Sequence, residues 1–431
     1  MIDYLFDWAS LLGRWLHLIT GIAWIGASFY FVWLDNHLLP PKREQLIDAG
    51  IGGEVWAVHG GGFYNAQKYK TAPAELPDHL HWFYWEAYTT WLSGFFLLCL
   101  LYFGQAEIYL IDPTVMPLSK FAAIGIALAF LVVGWLVYDG LCRSPLGRND
   151  KALGAVLFVL LGVSAYALCH LFSGRGAYIL FGAVIGTMMV ANVFFVIIPG
   201  QREMVNAKRD GRPLDPIYGL RGKQRSVHNT YFTLPVLFVM ISNHYALTYG
   251  AKYNWLVLIA MAFAGAAIRA WFVARHRAHE RGGKTTLLPL AIGLAVLAGV
   301  IVALAPVGAG SGAASVNAPP VAIDARDDGD AVSALSAIAP NNAATPTQRF
   351  ATVQAIITAR CVPCHAAQPT YAGFPAAPKG VRLDSTEAIL AQQKTMQVQL
   401  STKVMPIGNL TQMTDAERAT VLAWLGDGAP H

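Results

Sequence analysis

Five consecutive residues near the C-terminus have the types and spacing of a haem attachment site. Cys361 and Cys364 are separated by two residues, and His365 follows directly, in the order C-x-x-C-H. Thiols at this spacing can form thioethers with the two vinyl groups of one porphyrin, and the adjacent imidazole can bind the iron. Taken alone, the five residues could also belong to an unrelated metal site. The pattern predicts a covalent haem c held by Cys361, Cys364 and His365.

The residues on both sides of the motif favour the haem. Residues 348–360 are compatible with a helix that leads directly into Cys361. A closing helix is predicted over 414–425, because Thr414 and Glu417 have the spacing of a capping box. Helix, motif, loop and closing helix follow one another in the order of a class I cytochrome c, which this segment resembles.

A methionine in the intervening loop is the predicted second axial ligand. Met405 precedes a proline in an extended loop, whereas Met396 and Met413 do not and are predicted to be packing residues. Ligation by His365 and Met405 would raise the haem potential, which suits electron transfer rather than oxygen chemistry.

Composition places most of the chain in a membrane. The 431 residues are 55% hydrophobic and 13% charged, against roughly 25% charged residues in soluble domains. The formal charge of +5 is spread over many loops, so a nucleic-acid partner is not expected. Three domains are predicted: a transmembrane domain over 1–305, a flexible periplasmic linker over 306–345 and a cytochrome c domain over 346–431.

The apolar runs predict eight membrane-spanning helices, since a helix crosses the hydrocarbon with about 20 apolar residues. They are 10–34, 82–103, 121–141, 153–172, 178–198, 228–248, 254–274 and 287–305. The predicted fold class is all-α, a polytopic membrane helix bundle with a small class I cytochrome c domain.

Loop charges predict the orientation of these spans. With the N-terminus outside, the inner loops hold eighteen Lys and Arg residues and the outer loops three, Lys120, Arg175 and Lys252. Basic residues concentrate on the cytoplasmic side of membranes. The N-terminus and the cytochrome are therefore predicted in the periplasm, on a bacterial inner membrane.

Polar residues within spans are costly in lipid and are usually functional. An outer group could hold a haem b or an electron relay beneath the cytochrome, and it comprises Arg14, His17, His170, Asn243 and His244. Alternatively, His170 and His244 could be interfacial histidines bonded to lipid headgroups. His17 lies deeper in its span, and we interpret it as a functional residue.

An inner group of polar residues could form a substrate pocket open to the cytoplasm. Its members are Glu86, Asp139, Asn192, His228, Asn229 and Arg269. In this interpretation Arg269 and Asn229 bind an anion, and Glu86 or His228 transfers protons. The alternative is that these residues only form hydrogen bonds between helices.

The first inner loop contains three successive glycines, Gly60 to Gly62, after His59, with His79 and His81 further on. Three glycines allow a tight turn or close backbone approach, although they could be simple connectors. A nucleotide-binding loop is not expected, because no strand is predicted before the glycines and G-x-G-x-x-G is absent.

Two longer stretches carry a family resemblance. Trp56–Tyr64 and His228–Pro235 resemble segments of the bacterial membrane-bound urate hydroxylases, which have eight spans and a C-terminal cytochrome c. The resemblance implies hydroxylation of urate to 5-hydroxyisourate without peroxide. Electrons would pass to the cytochrome and on to a respiratory cytochrome or cytochrome c oxidase. It supplies no catalytic residues. Separately, His17–Trp24 is similar to the first helix of a haem b-binding membrane protoporphyrinogen oxidase family, which supports the hypothesis of haem b near His17.

Two other functions compete with urate oxidation. One is a quinol- or porphyrinogen-oxidising membrane reductase that uses the same cytochrome. The other is a non-catalytic electron carrier whose spans serve only as an anchor. An anchor needs one or two spans, so eight spans with internal polar groups count against it.

Overall fold

The structure is a computed structural model that describes residues 2–113, 115–280, 283–305, 346–371, 377–401 and 404–431. The chain forms two compact units, Met1–Ala303 and Leu304–His431. Most of the described residues are helical. The predicted linker, 306–345, lies outside the described residues.

All eight apolar segments predicted from the sequence contain helix in the first unit. The helices are α1 (Ile2–His37), α2 (Glu44–Asp48), α3 (Trp85–Leu97), α4 (Ala106–Tyr109), α5 (Lys120–Arg143), α6 (Asp150–Leu171), α7 (Gly174–Ala191), α8 (Ile198–Arg209), α9 (Pro216–Ser242), α10 (Ala246–Tyr249), α11 (Asn254–Glu280) and α12 (Leu288–Ala303). A π-helical segment, Leu98–Phe103, continues α3, and a second, Asn192–Ile197, joins α7 to α8.

Within the described residues, six helical stretches are long and apolar enough to cross a membrane. They are Tyr4–His37, Trp85–Phe103, Lys120–Arg143, Asp150–Leu171, Gly174–Arg209 and Asn254–Arg275. The predicted spans 228–248 and 287–305 are not among them. Of these two, α12 is apolar but has only 16 residues, which is short for a full crossing.

The boundaries of α9 differ from the prediction. The helix begins at Pro216, where the Asp215 side chain accepts a hydrogen bond from the Ile217 amide, and it ends at Ser242. Proline suits the first helical position because its missing N–H would have no partner there. Asn243 therefore lies just beyond the helix, and the predicted span 228–248 is wrong at its C-terminal end.

Helix α7 forms the centre of the first unit. It packs against α3, α5, α6 and α9, and Tyr178, Leu180 and Phe181 are completely buried. A helix that is apolar on all sides is expected in such a position. Asn192, which follows α7 directly, is also completely buried and consequently faces other helices.

The first inner loop contains a β-hairpin, contrary to the expectation that no strand precedes its glycines. Strands β1 (Ile51–His59) and β2 (Gly62–Tyr69) pair antiparallel. Gly60 and Gly61 form the two-residue turn, with φ of 55° and 81°, a conformation that glycine adopts without steric cost. Strand β1 is followed by strand β2 and not by a helix, so the glycines form the turn of the hairpin.

The second unit contains α13 (Pro346–Arg360), α14 (Thr386–Ala391), α15 (Gln393–Ser401) and α16 (Asp415–Gly426). Both predicted helices around the motif are confirmed, and Thr414 with Glu417 forms the predicted capping box. Met396 and Met413 are buried in the core of this unit, as predicted for packing residues.

Candidate functional site

Most of the predicted inner group forms one hydrogen-bonded network between α5, α9 and the π-helical segment Asn192–Ile197. The Asn192 amide nitrogen donates to the Tyr138 hydroxyl and to Asn229 Oδ1, each at 2.9 Å. Asn229 in turn donates to the Met189 carbonyl at 3.0 Å, and Tyr138 Oη lies 2.8 Å from His228 Nδ1. The structure therefore brings Asn192, His228 and Asn229 together.

An ion pair closes the network on one side. Arg225 is only 3% exposed, and its Nη2 donates to Asp139 Oδ1 at 2.7 Å. Its Nη1 donates to Asn192 Oδ1 at 3.3 Å. The guanidinium also lies 5.0 Å from the centre of the Tyr138 ring, within cation–π distance. Asp139 thus belongs to the same cluster.

The hydrogen-bond pattern restricts the protonation of His228. The Tyr138 hydroxyl accepts a hydrogen bond from Asn192, which leaves its own proton free to point to His228 Nδ1 at 2.8 Å. This arrangement favours the tautomer with the proton on Nε2. A proton can reach Nδ1 through the tyrosine hydroxyl, and this Tyr138–His228 pair is the candidate proton-transfer group.

Arg225 and Tyr138 were absent from the candidates chosen by sequence. Arg225 counted only as a basic loop residue, because the span was predicted to begin at 228. The helix actually begins at Pro216. Arg225, His228 and Asn229 are consequently spaced i, i+3 and i+4, which places them on one helical face. That spacing is the feature of the sequence from which Arg225 could have been predicted to join His228 and Asn229.

Glu86 and Arg269 lie apart from this network. Glu86 is partly buried in the first turn of α3, and no hydrogen bond joins its carboxylate to the network residues. Arg269 is 7% exposed, with its guanidinium 3.8 Å from the centre of the Phe29 ring. Its Nε and Nη2 have no hydrogen-bond partner among the described residues. The structure thus does not place Arg269 beside Asn229.

In the outer group, His17 makes a specific contact between α1 and α3. Its Nδ1 lies 3.0 Å from the Thr90 carbonyl and 3.1 Å from the Ser93 hydroxyl. A Cβ at Gly94 would lie 2.8 Å from the His17 ring, so the glycine allows the close approach. With Nδ1 bonded in this way, Nε2 is the ring nitrogen available to another ligand.

The other outer residues do not form a cluster with His17. His170 stacks on Tyr166 of its own helix, with ring centres 4.0 Å apart. Asn243 forms a pair with Tyr102, whose hydroxyl accepts from the amide at 3.0 Å. Arg14 and His244 are exposed. The contacts described for the outer group therefore do not join its other members to His17.

In the second unit, α13 ends immediately before Cys361. The Cys361 amide donates to the Ile357 carbonyl and the His365 amide to the Cys361 carbonyl, at 2.8 and 2.9 Å. His365 Nδ1 lies 2.9 Å from the Val381 carbonyl. A carbonyl can only accept, so Nδ1 carries the proton and Nε2 keeps its lone pair. In histidines that bind metals, such a hydrogen bond from the other ring nitrogen orients the ring.

The Met405 loop is attached to the closing helix by a buried arginine. Arg418 Nη1 donates to the carbonyls of Met405 and Leu400, at 2.6 and 3.3 Å. Lys403, in the same loop, lies outside the described residues. Arg418 thus positions the backbone of the residue predicted to be the second axial ligand.

The two thiols of the motif do not resemble a zinc site. Burial raises the pKa of the Cys361 thiol to about 12, and burial also raises the pKa of Cys364. Zinc binds thiolates in closed sets of four donors. In the described part of the chain, no three His, Cys, Asp or Glu side chains converge on one point. Two protonated thiols beside a preoriented histidine fit thioether formation better.

An ion pair next to the motif leads to a prediction about pH. Arg360 Nη2 lies 2.9 Å from Glu417 Oε1. Burial raises the pKa of Glu417, but hydrogen bonds from the Thr414 amide and from Arg360 outweigh it and lower the pKa below its ordinary value of 4.5. The carboxylate therefore stabilises the fold above that value, and the contribution disappears as the pH falls below it.

We expect Glu417→Gln, which can retain the capping box, to lower the free energy of local unfolding of α16 by about 0.5–1 kcal/mol at neutral pH. The difference should vanish once the pH falls below the lowered pKa of Glu417 in the folded protein. Hydrogen exchange of the α16 amides in the full chain measures it. Asp427→Asn is the matched control, because it breaks the exposed Arg349–Asp427 pair. A loss that persists in acid would assign the effect to packing.

A comparison with protein families identifies a family for this chain. Residues 3–305 match the family described as Urate oxidase N-terminal, which covers nearly the whole first unit. Comparisons with curated proteins and with solved structures give no match. The match extends over well more than half of the 431 residues. The chain therefore belongs to the urate oxidase N-terminal family.

Proposed function

We propose that this protein is a membrane-bound urate hydroxylase that passes electrons from urate through its own c-type haem to the respiratory chain. The observation that carries the proposal is the family match over residues 3–305, in one chain with the Cys361–His365 motif. Urate-related oxidation follows from the family. The haem, the product and the electron path are the proposed parts.

The overall reaction balances without oxygen. Urate and water give 5-hydroxyisourate, two protons and two electrons. The oxygen comes from water, and the electrons leave one at a time through the c-type haem to a downstream respiratory cytochrome or cytochrome c oxidase. No electron is donated to dioxygen, so no hydrogen peroxide forms.

The second unit supplies residues that fit a covalent haem. Cys361 and Cys364 would form the thioethers, and His365 would bind the iron through the nitrogen left free by Val381. Met405 would be the second axial ligand, with its backbone held by Arg418. When bound, the haem supplies a one-electron acceptor of raised potential.

In the first unit, the Tyr138–His228 pair is the proposed proton acceptor. Water attacks oxidised urate more readily when a base removes its proton. Asn229 accepts a hydrogen bond from Asn192 and donates one to the Met189 carbonyl, and its predicted role in binding the anion stays a prediction. Glu86 and Arg269 stay predictions for the catalytic set. Arg269 retains the stronger case, because its buried guanidinium has N–H groups without partners among the described residues.

The proposed location is the bacterial inner membrane, with eight spans and with the N-terminus and cytochrome in the periplasm. The six long apolar helices support a membrane protein. The two further spans rest on the apolar runs of the sequence, and the orientation rests on the loop charges. A haem b bound through His17 is part of the proposal, since His17 Nε2 is directed away from the Thr90 and Ser93 contacts.

The decisive experiment gives urate to membranes that contain the full chain, under anaerobic conditions. We expect the absorption bands of reduced c-type haem to appear and 5-hydroxyisourate to form. Under air, peroxide should stay at background. Pyridine haemochrome spectra of the same sample should contain haem b beside haem c.

Two results would contradict the proposal. If a quinol reduces the haem and urate does not, the protein is a quinol-oxidising reductase. If the haemochrome spectrum contains haem c alone, His17 is not a haem ligand.

The variant Arg269→Gln tests, in the same assay, the arginine that the sequence predicts to bind the anion.

A further inference from the structure

A cavity of about 170 Å³ lies where α5 ends and α9 begins, beside the π-helical segment Asn192–Ile197. Its volume corresponds to about five or six waters at ~30 Å³ each. That is far below the roughly 300–1,000 Å³ of pockets for drug-sized ligands. A small ring compound fits such a space. The residues that matter here are Arg143, Phe195, Tyr218, Arg221, Gln224 and Arg225.

The lining is strongly positive. Three of these side chains are arginines, and no acidic side chain lines the cavity within the described residues. Asp139 pairs with Arg143 at 2.6 Å and with Arg225 at 2.7 Å, so one carboxylate serves two of the cations. Arg221 is exposed and has no acidic partner in the described part of the chain. The cavity therefore attracts an anion.

The other lining groups suit a planar ring with N–H groups. Phe195 and Tyr218 line the cavity, and aromatic rings stack on planar rings; Phe195 is itself stacked on Trp135, with ring centres 5.9 Å apart. Gln224 uses its amide nitrogen to donate to the Gly147 carbonyl at 2.6 Å and to Asp150 Oδ1 at 3.3 Å. Its side-chain oxygen is left to accept from a ring N–H. Charge, aromatic faces and an acceptor in one small space are the requirements of an oxidised purine anion.

The cavity is also joined to the buried network. Arg225 lines the cavity and donates to Asn192. Cys142 is another lining residue, and its Sγ lies 3.9 Å from His228 Nδ1. The π-helical segment supplies both Asn192 for the network and Phe195 for the cavity. Such segments recur at functional sites, and here one connects a space for a ligand to a proton-transfer pair.

We infer that this cavity binds urate as a planar anion, with Arg221 and Arg225 compensating its charge and Tyr218 or Phe195 against its ring. The inference rests on the proposed function and places its substrate at the α5/α9 end of the first unit, which the loop charges predict to be cytoplasmic. Arg269 does not line this cavity, so its predicted role is tested separately by Arg269→Gln.

The first test uses Arg221→Ala in the full chain reconstituted in nanodiscs. Arg221 is exposed and has no ion-pair partner among the described residues, so its removal should leave the fold intact. We expect the KM for urate to rise about 10- to 100-fold, the effect of one charge-assisted hydrogen bond, with kcat changed less than about threefold. Arg209→Ala is the matched control, because it removes an exposed arginine of α8 that does not line the cavity. Its KM should stay unchanged.

The second test measures binding without turnover. Urate should protect Arg221 from phenylglyoxal, followed by mass spectrometry, and should leave Arg209 unprotected. If the protein oxidises urate but Arg221→Ala keeps its KM and Arg221 is not protected, the inference is overturned while the proposed function stands. If urate protects Arg221 but is not oxidised, the cavity assignment is supported and the proposed function fails.

Lipid composition separates urate from the other anion available at a membrane surface, a lipid headgroup. The protection experiment is repeated in phosphatidylcholine nanodiscs with and without phosphatidylglycerol. Protection that needs urate in both supports the inference. Protection that needs phosphatidylglycerol and is indifferent to urate would assign the arginines to a headgroup and overturn it.

Discussion

Replacing both thiols of the motif, Cys361→Ala with Cys364→Ala, is expected to abolish the covalent haem and the transfer of electrons out of the protein. The haem that survives denaturing electrophoresis should fall from one per chain to none, because thioethers are its only covalent attachment. Urate-dependent reduction of an external cytochrome should fall at least about 100-fold, since the one-electron carrier is lost.

Cys99→Ala is the matched control, because Cys99 is a free thiol of the first unit that lies outside the motif. It should retain the haem and the rate. Binding of urate, followed by protection of Arg221 from phenylglyoxal, should survive in the double variant. Covalent haem in the double variant would disprove the attachment site. Unchanged urate-dependent reduction of the external cytochrome would disprove the electron path.

Removing the carboxylate of the buried ion pair should strongly destabilise the first unit. Arg225 has 4% of its side chain exposed, and Asp139 lies 2.7 Å away. Asp139→Leu would leave that guanidinium buried without its anion. We expect a loss of about 3 kcal/mol in the free energy of unfolding. Unfolding in mixed micelles can be followed by tryptophan fluorescence, because Trp135 lies 5.9 Å from the Arg225 guanidinium.

The compensating variant makes this prediction specific. Asp139→Leu combined with Arg225→Met removes both charges and should recover at least half of the lost stability, because two apolar side chains can replace a buried pair. Asp35→Asn is the control, since the Lys68–Asp35 pair is exposed and should contribute less than about 1 kcal/mol. A loss below 1 kcal/mol for Asp139→Leu would mean that water reaches Arg225.

The sequence predicted the two helices around the motif accurately because their signals are local. The helix before Cys361 and the capping box of Thr414 and Glu417 each depend on residues within a few positions. The packing roles of Met396 and Met413 followed from their setting and are confirmed by burial. The contact between His365 and Val381 spans sixteen positions, and no local pattern could predict it.

In the first unit, hydropathy predicted where helices occur, but it did not predict their π-helical segments or where α9 begins and ends. A π-helical segment inside an apolar run does not change the composition, so the irregular turn at Asn192 is invisible in the sequence. The hairpin between Ile51 and Tyr69 was missed because its strands lie in a loop between two spans. Helix α9 extends beyond its apolar part because Asp215 and Pro216 start it among charged residues.

The sequence by itself determined the apolar helices, the attachment motif with its flanking helices, and the polar residues within spans. These depend on composition and short-range spacing. Only the tertiary structure decided which polar residues meet. It joined Asp139, Asn192, His228 and Asn229 through Tyr138 and Arg225, and it set Arg269 against Phe29. Side chains on different helices approach according to helix packing and rotation, and neither is written in local sequence. The arginine-lined cavity follows from the same packing.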